Sequence, residues 1–364
     1  MKELELKTEG KIKRLTNKTF KFDSRIKDGW YSSVYFLKTT KIVEKYHPSS
    51  VVTMQFFQRD NAILCGIDEA IALVHTFARY PEELKIEALD DGDLIKPMEP
   101  VLKITGHYQN FGYLEGIIDG ILARRTSIAT NVYMASKVAK PSDVMFMGDR
   151  DDHYLNQQGD GYAAYIGGVA AQCTHAMNEW WGLHGIGTMP HALIQIFDGD
   201  LVKAGRAYCE TFPNDNFIAL VDFNNDVIND SLKVAREFGS KLHGVRVDTS
   251  QSIKDHYFDS MDDKKEYYGV NPTLIKALRK ALDAEGFEYV KIIVSSGFNL
   301  DKIMWFKKEG TPIDSYGIGK SLLKVSMNFT GDLVSLNGKP LAKVGRKEMP
   351  SSRLKPVYIN NNNL

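Results

Sequence analysis

The sequence has 364 residues, 43% hydrophobic and 25% charged, the proportions of a folded protein with a sizeable core. Its 46 lysines and arginines match its 46 aspartates and glutamates, which excludes wholesale attraction to nucleic acid or to an anionic membrane. No apolar stretch approaches the roughly 20 residues of a membrane helix, the opening MKELELKTEG has no signal-like apolar region, and Cys65, Cys173 and Cys209 are too scattered for a disulfide framework or a CxxC zinc site. A cytoplasmic protein with no membrane or nucleic-acid partner is expected.

In chain order, strand-like pieces stand at Val34–Leu37, Ile42–Val43, Val51–Phe57, Lys85–Ala88 and Val101–Thr105, with a helix over about Asp60–Ala78 among them. Turn signals such as Asp90-Asp91-Gly92-Asp93 separate the strands. Residues 1–119 therefore read as an α+β domain with a mainly antiparallel sheet. From residue 120 the rhythm is strand, polar tip, helix. After a helix containing Gly120–Ala129, the strand Val144–Met147 leads to a helix over about Asp160–Glu179. Phe217–Val221 leads to a helix over about Asp226–Phe238; Leu242–Val247, Lys291–Val294 and Ile313–Tyr316 follow, the second leading to a helix over Asn299–Glu309. Repeated βα units predict a parallel sheet, and their number favours an irregular, incomplete βα barrel over residues 120–325. The segment 326–364, with a hairpin at Leu336-Asn337-Gly338-Lys339, is expected to return to the N-terminal sheet domain, and the tail Asn360–Asn363 to be disordered.

The strand ends are unusually polar. Ser295-Ser296-Gly297 and Gly317-Ile318-Gly319 close consecutive units; such turns either permit a tight βα connection or present backbone N–H groups to a phosphate. His191 opens an apolar helix after a Gly-Thr-Met-Pro turn, where it can serve as nucleophile, base or phosphate contact. Arg124-Arg125, Arg150 and His153 offer donors for a carboxylate or phosphate. Asp222, Asp226 and Asp248 suit Mg²⁺ or ribose hydroxyls, Asp226 equally a helix cap. Arg246 and Asp248, two apart on one strand, share a face.

Several of these segments resemble one family. Ser33-Val34-Tyr35-Phe36-Leu37-Lys38-Thr39 is similar to TDVYFLRT, Gly187-Thr188-Met189-Pro190-His191-Ala192-Leu193 to GTMPHAL, and Gly244-Val245-Arg246-Val247-Asp248-Thr249 to GVRLDT of the nicotinate phosphoribosyltransferases. Ala219–Phe223, Val294–Phe298, Tyr165–Gly168 and Tyr316–Gly319 resemble further elements of that family, in order, over nearly the whole chain. The resemblance implies a homodimer whose active site lies at the subunit interface, joining nicotinate to phosphoribosyl pyrophosphate with coupled ATP hydrolysis and Mg²⁺. It implies that Tyr35 stacks on the pyridine from the neighbouring subunit and that Arg125, Arg150 and His153 hold the nicotinate carboxylate or phosphates. His191 would accept the phosphoryl group of ATP within its Thr188-containing motif. Arg246 and Asp248, with Asp222 nearby, would meet phosphoribosyl pyrophosphate, and Ser295, Ser296, Gly297, Gly317 and Gly319 the 5′-phosphate. Where the family reads FGxRR, this chain has Met147-Gly148-Asp149-Arg150-Asp151-Asp152-His153, so that Met147 replaces a ring-stacking phenylalanine and Asp151 an arginine. No cysteine follows Cys209, so the C-terminal zinc cluster of some relatives is not expected.

Overall fold

A computed structural model describes residues 19–357; the Asn360–Asn363 tail lies outside them. The chain forms two compact units, one of residues 1–133, 162–168 and 324–364, the other of 134–161 and 169–323. The chain leaves the first unit within the long helix Glu115–Ala139.

In the first unit, β1 (Val51–Phe57), β2 (Ala62–Ile63), β3 (Lys85–Ala88), β4 (Leu94–Ile95) and β5 (Leu102–His107) are antiparallel; β2 pairs with β4, and β5 lies between β1 and β3. Val34–Tyr46, expected as two strand pieces, is a single helix. Its β-branched and aromatic residues favour strands weakly, but Phe36 and Thr40, one turn apart, are the buried positions, a helical period that outweighs the propensity. Thr39 and Thr40 return their hydroxyls to the carbonyls of Tyr35 and Phe36. The helix expected from Asp60 begins only at Ile67. Ala62–Ile63 is drawn into β2, Gly66 takes a φ of +98°, and Asp91 accepts from Ile67 N at 2.8 Å, so the cap comes from 24 residues downstream.

The second unit holds a parallel sheet: β6 (Asp143–Phe146), β7 (Ala171–Gln172), β8 (Phe217–Leu220), β9 (Leu242–Val247), β10 (Lys291–Val294) and β11 (Ser315–Ile318), in the order β7-β6-β11-β10-β9-β8. It is a half-barrel, the incomplete βα barrel expected. Its strands are buried on both faces, which is why they read as short continuous apolar runs. The expected helix Asp160–Glu179 divides: Gln157–Gly167 ends at Gly168 (φ +98°), and β7 intervenes before the turn His175–Asn178.

Asp226 sits at the start of the helix Val227–Phe238 but makes no side-chain cap bond there; its carboxylate accepts from Asn229, and Val227 N is taken by the buried Asp255. Asp255 belongs to 250–270, whose charge and aromatics read in sequence as an insertion over the barrel mouth, either a lid or partner surface or, more simply, a solvated loop. It is anchored instead, with Phe258 fully buried and its ring stacked at 4.4 Å on Tyr267.

The closing segment gives β12 (Thr330–Leu336), β13 (Lys339–Pro340) and β14 (Lys355–Val357), which extend the antiparallel sheet of the first unit to β13-β12-β1-β5-β3-β14. The C-terminal strands thus join the N-terminal sheet, as expected. The hairpin turns on Asn337 and Gly338, both at positive φ, and Asn337 exchanges two hydrogen bonds with Val51. No helix among the described residues is long and apolar enough to cross a membrane.

Candidate active site

Within the parallel unit, the polar ends of β8 to β11 carry most of the expected residues. Ser295, just past β10, donates its N–H to Val247 O at 3.0 Å and its hydroxyl to Asp248 Oδ1 at 2.6 Å. Neighbouring parallel strands therefore deliver Ser295 and Asp248 to each other. Ser296 and Gly297 then take φ values of +75° and +68°. Glycine adopts this region freely, whereas serine there costs about 1–2 kcal/mol and persists only where its surroundings hold it.

Glycine suits these ends for different reasons, a positive φ at Gly297 and close approach of backbone at Gly319. A Cβ on Gly297 would fall 2.1 Å from Gln251 Nε2; one on Gly317 would fall 2.6 Å from Met147 Sδ and 3.2 Å from Ser295 Cβ. At Gly319 it would meet Asp151 Oδ2 at 2.2 Å and Met147 O at 2.7 Å. The Met147–Asp152 loop thus lies directly on the second glycine turn, and Asp151 brings a carboxylate there.

His191 opens the helix His191–Ile196 after Pro190, and its Nε2 lies 3.1 Å from both carboxylate oxygens of Asp222. The imidazole is 45% exposed and the carboxylate 7%, so the ring meets solvent while its anchor does not. Burial raises the Asp222 pKa, opposed by His191 and reinforced by the negative charge of Asp248. Arg246 Nη2 donates to Met189 O at 3.3 Å, directly before the histidine turn. Its Nε and the Thr188 hydroxyl are buried without a partner among the described residues. Buried donors are rarely left so.

The other expected residues are placed differently. Arg150 is exposed. His153 is exposed as well; its Nδ1 accepts from Leu155 N at 3.4 Å, capping a short turn. Tyr35 and Arg125 belong to the first unit: Tyr35 is 63% exposed, while Arg125 is nearly buried and bonded to Glu69 at 2.8 Å. Sequence reading missed Gln251, which covers Gly297, and Lys302, whose ammonium bonds the Ser296 carbonyl at 3.1 Å. A lysine in the first turn of the helix after a glycine turn was the available signal for the second. Burial and then Asp149 push the Cys173 thiol up to about 12, which disfavours the thiolate.

Comparison with known proteins shows the family of the chain. The structure of nicotinate-nucleotide pyrophosphorylase from Pyrococcus furiosus matches with a TM-score of 0.78 at 30% identity, over 90% of this chain and 80% of that one. The chain belongs to the nicotinate phosphoribosyltransferase family of type II phosphoribosyltransferases. Its residues 34–126 match the family model described as the N-terminal domain of quinolinate phosphoribosyl transferase. Nicotinate phosphoribosyltransferase pncB1 of Mycobacterium tuberculosis is 28% identical over 291 residues, 76% of this chain and 60% of that protein. Nicotinate phosphoribosyltransferase of Bacillus subtilis is 27% identical over 240 residues, 65% of this chain and 45% of that protein. The chain thus spans about half the length of these curated relatives, and its family membership extends over both compact units.

Proposed function

We propose that this chain transfers the phosphoribosyl group of phosphoribosyl pyrophosphate to the ring nitrogen of nicotinate, giving nicotinate mononucleotide and pyrophosphate with coupled hydrolysis of ATP. The observation that carries the reading is the two-oxygen grip of Asp222 on His191 Nε2, beside Arg246 and the Ser296–Gly297 turn. A carboxylate on Nε2 favours the tautomer with its proton there and leaves Nδ1 as the lone-pair nitrogen. Nδ1 attacks the terminal phosphorus of ATP, the bond to the bridging oxygen breaks, and ADP leaves; water later returns the phosphoryl group as phosphate. In the pyridine step, the ring nitrogen bonds the anomeric carbon as the bond to pyrophosphate breaks. Arg246 offers its unpartnered Nε to the departing negative charge, and the glycine turns offer backbone N–H groups to the 5′-phosphate.

Mg²⁺ fits this donor set. Asp222 and Asp248 stand at adjacent strand ends, and no group of three or more His, Cys, Asp or Glu among the described residues forms a closed metal cage. That suits an ion held mainly by substrate phosphates and one or two carboxylates, whose contribution is to neutralise the pyrophosphate.

The exposed Tyr35 supports a homodimer in which it reaches the site of a second copy. Nicotinamide is the second candidate substrate, favoured by the acidic loop that puts Asp151 against Gly319; quinolinate, with two carboxylates, suits that loop least. The test is product formation from each of the three pyridines with phosphoribosyl pyrophosphate, with and without ATP, by the wild type and His191→Ala. Nicotinate turnover stimulated by ATP, the stimulation lost in the variant, is expected. Robust turnover of nicotinamide with none of nicotinate would overturn the substrate; no turnover of any pyridine would make the chain a non-catalytic phosphoribosyl-pyrophosphate-binding homologue.

A further inference from the structure

The turn after β10 runs into the helix Leu300–Lys308, whose third residue, Lys302, folds back onto it. Lys302 Nζ donates to the Ser296 carbonyl at 3.1 Å and stands 4.3 Å from the ring centre of Phe298 and 5.9 Å from that of Phe306. Its contacts are therefore a carbonyl and two aromatic faces, and no ion pair is formed by it among the described residues. Burial alone brings its ammonium down to about 8. The titratable groups on the elements around it are Asp301, Lys307 and Lys308 on its own helix, Lys320 on the turn that bonds the Phe298 carbonyl through Ser321, Tyr316 on β11, whose ring meets Phe298 at 5.4 Å, and Asp248, reached through Ser295; none of them shifts it. A cation withdrawn from water with no counter-ion is unfavourable until an anion arrives.

We propose that Lys302 is the positioning residue of the phosphate turn: it pins the Ser296 carbonyl, so that Ser296 and Gly297 keep their left-handed conformation, and its uncompensated charge is met when a phosphate monoester occupies the turn. This rests on the reading of the glycine turns as the 5′-phosphate site. Two effects follow. An anion raises the ammonium pKa, so binding takes up a proton at pH values near and above 8. Affinity then falls as pH rises through 8, because the deprotonated amine gives up both its charge and its charge-assisted bond to Ser296.

The experiment is calorimetric titration of ribose 5-phosphate into the wild type, Lys302→Met and Lys302→Arg at pH 7.2 and 9.0, in buffers of unlike ionisation enthalpy, with circular dichroism as a check of folding. Between these pH values the phosphate stays a dianion. The wild type is expected to lose about tenfold in affinity at the higher pH, following the fraction of protonated lysine, and to take up protons there. Lys302→Met should bind about tenfold more weakly at pH 7.2 and show neither the pH dependence nor the uptake. Lys302→Arg should bind at both pH values without uptake, and it carries the test alone if the methionine variant does not fold. A wild type that fails to bind ribose 5-phosphate overturns the phosphate reading and this role with it. A wild type that binds with no proton uptake, matched by Lys302→Met in affinity, overturns the role of Lys302 alone.

Discussion

In the antiparallel unit three buried or half-buried cations form ion pairs with carboxylates of that same unit. Arg125 meets Glu69 at 2.8 Å, Lys103 meets Glu348 at 2.8 Å, and Arg346 meets Asp332 at 2.7 Å. In the parallel unit two cations near the strand ends are left open among the described residues: Arg246 keeps an unpartnered Nε, and Lys302 has a carbonyl and two rings. On the function proposed above, the difference separates charge that holds a structure from charge that awaits a ligand. A closed pair is already satisfied, so removing one member strands the other. An open cation has little to lose in the free protein and much to gain in a complex.

The sharpest way to break that contrast is Arg125→Met. Both partners are nearly buried, with side chains 13% and 12% exposed, so the substitution leaves Glu69 uncompensated and should cost about 3–5 kcal/mol of stability. Urea unfolding measures it. A variant as stable as the wild type but unable to bind nicotinate would place Arg125 with the open cations, as the family resemblance implies, and the contrast would fail.

Arg246→Ala is the counterpart. It removes a side chain whose only bond among the described residues is to Met189 O at 3.3 Å. Stability should therefore change little, while kcat/KM falls by about 10²–10³-fold, the usual effect of losing a donor aimed at developing negative charge. A large drop in the unfolding midpoint with kinetics intact would mark Arg246 as structural.

The same contrast explains what could be read in the sequence. The bounds of β9 and β10 coincide with the strands read at Leu242–Val247 and Lys291–Val294, because short, mostly buried strands carry their signal in their own residues. The glycine turns and His191 were visible for a similar reason, since each breaks an apolar run with residues of special geometry. What stayed hidden depends on distant segments. The start of the helix at Ile67 is set by Asp91, the cap of Val227 by Asp255, and the partner of Lys302 by the fold of the turn before it. The helix Val34–Tyr46 was misread because its buried stripe is only two residues wide.

The smallest expected effect lies at the exception within the first unit. Glu115 and Asp119, one turn apart on the helix Glu115–Ala139, share their surroundings with Asp332 of β12, and Arg346 is ion-paired with Asp332. Burial first, then Asp119 and Asp332, raise Glu115 to about 8; burial, against a hydrogen bond from Gly331 N, raises Asp119 to about 6. Because these folded-state values exceed those of free carboxyls, the folded chain binds more protons than the unfolded chain between about pH 4.5 and 8. Stability must therefore decline as pH rises through that window. Glu115→Gln removes the larger share of the decline. It should match the wild type near pH 5 and exceed it at pH 8.5 by roughly 1–2 kcal/mol, a value reduced for the solvent that still reaches the group. Denaturation midpoints at the two pH values decide it. Equal midpoints for both proteins at pH 8.5 would mean that the carboxylate is compensated in the folded state and that Glu115 belongs with the closed charges after all.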